Sequence, residues 1–181
     1  LYLTQSASNK VAVSASSDEI RDHIITEVEG GVLIIRLGEN GSWFNWKKWG
    51  NYKTKAYVSI KDIDAITASG ASDVHVINKI ESSKIRINLS GASDFKGDIS
   101  AGVIIYDISG ASDCKSSVDA NTIAITGAGA SKIELAGKVD DLSVVISGAS
   151  DAKLYNLNSK GAILKSSGAS SIQATVTEIL K

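Results

Sequence analysis

The sequence predicts an all-β fold: a single-stranded parallel β-helix, or β-solenoid, with coils of about 20 residues and a less regular N-terminal part. Three observations carry that expectation. The tripeptide Gly-Ala-Ser recurs at Gly70, Gly91, Gly110, Gly129, Gly148 and Gly168, at successive spacings of 21, 19, 19, 19 and 20 residues. Self-similarity at a fixed period marks stacked repeats. Apolar residues flank each copy at every second position, which is the period of a strand and not of a helix. The 181 residues also contain no proline, where average usage of about 5% would place roughly nine. Proline deletes a ladder hydrogen bond, so coils paired above and below leave it almost no position.

Composition narrows the function before any motif is considered. With 43% hydrophobic and 22% charged residues the chain has the make-up of a folded globular protein. Nineteen basic and 20 acidic side chains leave a net charge of -1, and no run of Lys or Arg supplies a footprint for a phosphate backbone, so no nucleic-acid partner is expected. No stretch approaches the roughly 18 apolar residues of a membrane-crossing helix. The single cysteine, Cys114, cannot close an intrachain disulfide. A chain that begins Leu1-Tyr2-Leu3 and contains no methionine reads as a processed form, so export followed by loss of a targeting segment is expected.

Residues 1–65 lack the Gly-Ala-Ser corner. Lys10–Ser14, His23–Val28, Gly31–Leu37 and Lys55–Ile60 read as strands, and Ser17–Asp22 as a one-turn helix with a serine cap. The expectation is a set of irregular strands, an end cap and an aromatic loop, continuous with a six-coil repeat region over 66–181 in one domain. In each repeat the positions six, four and two before glycine point inward, as in Ile104, Tyr106 and Ile108 or Leu142, Val144 and Ile146. After the corner the inward phase resumes four residues on, at Val74, Phe95, Cys114, Ile133, Ala152 and Ile172. Cys114 therefore reads as a buried small hydrophobe. Glycine accepts positive φ at the bend, and the alanine after it is expected to lie where stacked corners leave little room, so that a larger residue at Ala111 would clash.

The Ser-Gly-Ala-Ser-Asp corners at 69–73, 90–94, 109–113 and 147–151, with Tyr57-Val-Ser-Ile60 and Thr67-Ala-Ser-Gly70 before them, resemble the head GIN domain family of putative autotransporter adhesins from about Lys10 onward. The resemblance implies a right-handed parallel β-helix in an exported, cell-envelope protein of Bacteroidetes-type bacteria, with adhesion as its role. Two copies depart from the corner: the fourth reads Gly127-Ala-Gly-Ala-Ser-Lys132, and the sixth ends Ser170-Ser171.

Two sets of residues are candidates for chemistry. Asp73, Asp94 and Asp113 fall at matching positions of consecutive coils, followed by Lys132 and then Asp151. Stacked carboxylates suit a hard cation such as Ca²⁺, or the acid and base of a polysaccharide-cleaving site. The plainer expectation is that each Asp caps its own turn, with Lys132 relieving repulsion in the column. The serine column lacks a base, since His23 and His75 both read as solvated surface residues. The second set is the segment Gly41–Tyr52, where Trp43, Phe44, Trp46, Trp49 and Tyr52 gather half of the chain's ten aromatics beside Lys47 and Lys48. Flat rings with ammonium donors suit sugars, a protein ligand or a membrane surface, and equally suit a plug for the solenoid's open end.

The expected protein is thus a non-catalytic cell-envelope binder presenting a rigid solenoid surface and an aromatic loop to a glycan or cell-surface protein, without cofactor. A carbohydrate-active enzyme using Asp94 and Asp113 is the alternative, and a structural scaffold or lipid-surface binder the third. Outward apolar residues at Ile105, Val145 and Ile163 point to a face covered by N-terminal strands or by a second protomer.

Overall fold

The computed structural model describes residues 1–38 and 53–180, without the side chains of 179 and 180. It is a β-solenoid of about six turns, about 19 residues apart. In chain order the strands are β1 (Tyr2–Gln5), β2 (Lys10–Ala15), β3 (Ile24–Glu29), β4 (Val32–Leu37), β5 (Thr54–Ile60), β6 (Ala65–Ala68), β7 (Asp73–Val76), β8 (Ile80–Leu89), β9 (Asp94–Ile108), β10 (Asp113–Gly127), β11 (Lys132–Ile146), β12 (Asp151–Ser166) and β13 (Ser171–Leu180). One helical turn, α1 (Asp18–Arg21), follows Ser17, whose hydroxyl accepts from the Ile20 N–H.

From β9 to β13 each coil pairs in parallel with the next. Asp94, Asp113, Lys132, Asp151 and Ser171 stand in one register row, and Ile104, Ile123, Leu142 and Ala162 in another. The inward phase is buried as its period requires: Phe95, Ile104, Tyr106, Ile123 and Ile133 are at most 2% exposed. Burial pushes the Cys114 thiol up, with the Asp113 charge adding to it. The Tyr106 hydroxyl is the one buried side-chain polar atom without a hydrogen-bond partner among the described residues.

The corner works differently from the sequence expectation. Ala92, Ala111 and Ala149 are exposed, whereas Ser93, Ser112, Ser131 and Ser150 are buried. Three residues after the turn begins, the serine hydroxyl donates back to its first carbonyl, as from Ser93 to Ser90 at 2.8 Å and from Ser150 to Ser147 at 2.9 Å. A buried hydroxyl closed on its own turn leaves no polar group unmet. The crowding falls on glycine. Gly129 has φ +83°, and a Cβ there would lie 2.5 Å from the Gly110 carbonyl oxygen, because that oxygen accepts from the Ala130 N–H at 2.8 Å. The ladder thus runs through the corner itself, and only a residue without Cβ fits.

The N-terminal part holds a strand that the sequence reading passed over. β1 lies between β5 and β7, parallel to both, with Leu3 opposite Val58 on one side and Val76 on the other. Gln5 locks it in place: its side-chain amide donates to the Lys61 and Glu81 carbonyls and its side-chain oxygen accepts from the Glu81 N–H. β2 closes this end of the sheet antiparallel to β5. β3 and β4 form a separate antiparallel hairpin through Gly30 and Gly31, with Leu33 and Ile35 packed on the core. Val145 and Ile163 remain 45% and 44% exposed, so the N-terminal strands leave them uncovered.

Candidate functional site

A concavity of about 620 Å³ runs along one outward face. Small residues line it in two adjacent pairs, Gly97 opposite Ser116 and Ser117 opposite Ala136. A Cβ on Gly97 would meet the Val76 side chain. Its wall is a single register row that reads Tyr2, His75, Lys96, Lys115, Glu134 and Lys153, and the row continues past Tyr2 to Tyr57 through six parallel pairings in all.

At the N-terminal end of the row, the rings of Tyr2 and Tyr57 stack 5.2 Å apart and those of Tyr2 and His75 5.6 Å apart. His75 is half-buried in this stack and is not a solvated surface residue. Rings stacked along the sheet present edges and hydroxyls outward, so Tyr2 offers a polar rim more than a flat face. Tyr155 at the other end differs. Alternation after the buried Ala152 and Leu154 turns Tyr155 outward, where it is 54% exposed, and a bulge opposite Leu135 lets Leu154 and Tyr155 share one rung. No aromatic stacking contact involves it among the described residues, and it lines the concavity. Lys96 and Lys153 form no ion pair among the described residues, while Lys115 reaches Glu134 at 3.6 Å.

Beside this wall, two residues earlier in each coil, runs the Asp row. Asp73, Asp94, Asp113 and Asp151 are exposed, and their carboxylates accept no hydrogen bond among the described residues; the hydroxyls of Ser72, Ser93 and Ser150 close the turns before Asp73, Asp94 and Asp151 instead. Among the described residues no group of three His, Cys, Asp or Glu is placed to hold a metal ion. In the fourth coil the two rows exchange charge. Lys132 occupies the Asp row, Glu134 the Lys row, and their side chains meet at 2.7 Å. The hydrogen bond from Lys132 holds the Glu134 carboxyl below the usual glutamate range and raises the Lys132 ammonium, with Lys115 and Lys153 lowering Glu134 further. Glu134 is therefore kept ionised, which suits a counter-charge and not a proton donor.

Trp43, Phe44, Trp46, Trp49 and Tyr52 lie outside the described residues. Of the sequence candidates, the structure brings His75 to the concavity and sets Asp73, Asp94 and Asp113 on the row next to it. Tyr2, Tyr155 and the lysine row went unrecognised. The repeat alignment holds a signal for the lysines and for Tyr155: each lysine follows its Asp by two residues, and Tyr155 follows Lys153 by two on the same outward phase.

A family described as putative auto-transporter adhesin, head GIN domain, matches residues 1–181. The chain belongs to that family. This head GIN domain is similar in fold to two solved structures from one bacterial genus. A putative lipid binding protein from Parabacteroides distasonis shares 20% identity at a TM-score of 0.77, covering 89% of this chain and 68% of the other. A putative adhesin from Parabacteroides merdae shares 13% identity at a TM-score of 0.75, covering 89% of this chain and 67% of that one. At such identities the likeness is one of fold. No curated protein matches the head GIN domain. The family's adhesin description goes with a cell-envelope or surface protein that binds some surface partner, and among the described residues no helix is long and apolar enough to cross a membrane.

Proposed function

We propose that this chain is a non-catalytic, exported adhesin of the cell envelope whose concavity holds an extended glycan carrying acidic groups. The observation that carries this reading is the concavity itself, with the Tyr155 ring at one end and the Lys96, Lys115 and Lys153 ammoniums along its wall. Sheet rungs repeat at about 4.8 Å, so the lysines form a ruler along the solenoid axis. An exposed aromatic face takes the apolar side of a sugar ring, and ammonium groups take its carboxylates. The backbone beneath is hydrogen-bonded on both sides, so little ordering cost attends binding. The Trp43, Trp46 and Trp49 segment supplies a second aromatic surface in the same reading.

A glycan array tests it with the wild type, Tyr155→Ala, Lys96→Ala/Lys153→Ala and Trp43→Ala/Trp46→Ala/Trp49→Ala proteins. The expected result is a signal on acidic glycans that falls at least tenfold in the first two variants. Loss in the tryptophan variant alone would move the site to residues 43–52. Absence of any signal in the wild type, with binding to lipid vesicles instead, would replace the glycan with a lipid surface. Release of reducing sugar from acidic polysaccharide would overturn the non-catalytic reading.

A further inference from the structure

Taken coil by coil, the outward residues three and five positions after the corner glycine carry opposite charge in four of the six coils. The pairs are Asp94 with Lys96, Asp113 with Lys115, Lys132 with Glu134, and Asp151 with Lys153; the first coil sets Asp73 beside His75, and the last has the neutral pair Ser171 and Gln173. Parallel pairing keeps the two positions in two straight rows along the solenoid axis. Most of these charges lack an intrachain partner. Among the described residues, Asp73, Asp94, Asp113, Asp151, Lys96 and Lys153 form no ion pair, while Lys132 and Lys115 share Glu134.

A two-fold axis parallel to the solenoid and running between the rows has a particular effect on such a face. It lays a second copy face to face with the first, keeps each coil at its own height and exchanges the rows. Asp94 of one copy then meets Lys96 of the other, Asp113 meets Lys115, Lys132 meets Glu134 and Asp151 meets Lys153, each of them twice. Every charged coil is complementary to itself. An axis lying across the rows would instead set each row against its own kind. The reversed fourth coil adds a constraint. A slide of the partner by one coil brings Lys132 onto Lys115 or Lys153 and Glu134 onto Asp113 or Asp151. A uniform pair of columns would tolerate that slide, and this one does not.

We propose that the Asp and Lys rows form an isologous docking surface for a second copy of this chain, with the two solenoids parallel and in register, and with the Lys132 and Glu134 exchange setting the register. Opposed charges at such a surface select the partner and the alignment. The proposal goes beyond the glycan reading by giving a role to the Asp row, which takes no part in lining the concavity, and a second copy competes with a glycan for the lysine row.

Sedimentation velocity and light scattering test it on three proteins: the wild type, an acid-faced Lys96→Asp/Lys115→Asp variant and a base-faced Asp94→Lys/Asp113→Lys variant. All four positions are exposed, and circular dichroism checks that each variant keeps its strands. The wild type is expected to be a dimer at low ionic strength that dissociates as salt rises. Each variant alone is expected to be monomeric, and an equimolar mixture of the two to regain the doubled mass as a one-to-one heterodimer. A monomeric wild type at low salt, dimerisation of either variant alone, or failure of the mixture to associate would each overturn the proposal. So would a monomer that binds zwitterionic phosphatidylcholine vesicles through the same rows. Retained glycan signal in the base-faced variant with loss of the dimer separates this proposal from the glycan reading.

Discussion

Lys132 and Glu134 meet at 2.7 Å in the one coil where the two charged rows exchange sign. Lys132 thereby stands between Asp113 and Asp151, and Glu134 between Lys115 and Lys153. Like charges directly opposite on neighbouring strands repel, and one inverted pair interrupts both columns at once. The Glu134 carboxyl is held below its usual range, so the stability it contributes is present above the ordinary glutamate value and disappears as pH falls through the lowered one. NMR titration is expected to find the Glu134 midpoint under the reference of about 4.3, and to find it moved upward in Lys132→Met. A wild-type midpoint at or above the reference would contradict the pairing.

The corner places its steric demand on glycine and leaves the following alanine open. Gly129→Ala combines left-handed backbone strain with a clash against the Gly110 carbonyl, and is expected to cost about 3 kcal/mol. Ala130→Val changes an exposed methyl and is expected to stay within about 0.5 kcal/mol. Urea unfolding of the two variants measures the contrast. Equal losses would return the crowding to the alanine.

Strand β1 joins β5 to β7, and Leu3 on it is 3% exposed. Leu3→Ala is expected to destabilise by about 3 kcal/mol. Hydrogen exchange should show the reason, with amides of His75 and Ile77, which donate to the Leu1 and Leu3 carbonyls, losing protection before those of β10 and β11. Uniform loss across all coils would mean that β1 is no local seam.

Tyr106 is fully buried with its hydroxyl unmet, and burial raises its ionisation well above the usual phenol range. Leaving a buried hydroxyl unmet costs about 1–3 kcal/mol. Tyr106→Phe is therefore expected to be neutral or to stabilise by about 1 kcal/mol in thermal unfolding. A loss greater than about 1 kcal/mol would reveal a partner for the hydroxyl, such as a trapped water or the neighbouring Ser116 hydroxyl, which acts to lower the Tyr106 ionisation against the effect of burial.

What the amino-acid order determined by itself was the periodic part of this protein. Six corners at near-constant spacing and a two-residue apolar rhythm leave stacking as the way to bury Ile104, Ile123 and Leu142 together, and the absence of proline agrees with an uninterrupted ladder. Those are local rules repeated, and a repeat multiplies a weak signal. The tertiary structure decided whatever depended on which residue lies beside which across coils. Only stacking shows that the glycine oxygen of one coil occupies the space of the next coil's missing Cβ, so the alanine expectation failed. Only the register joins Tyr2, 73 residues before His75 in sequence, to the wall of the concavity at whose other end Tyr155 stands. The charge exchange at Lys132 and Glu134 sits between the two cases. Its letters are visible in the alignment, but its meaning as a counter-charge in two columns arises from rungs about 4.8 Å apart, a distance that exists only once the coils are stacked.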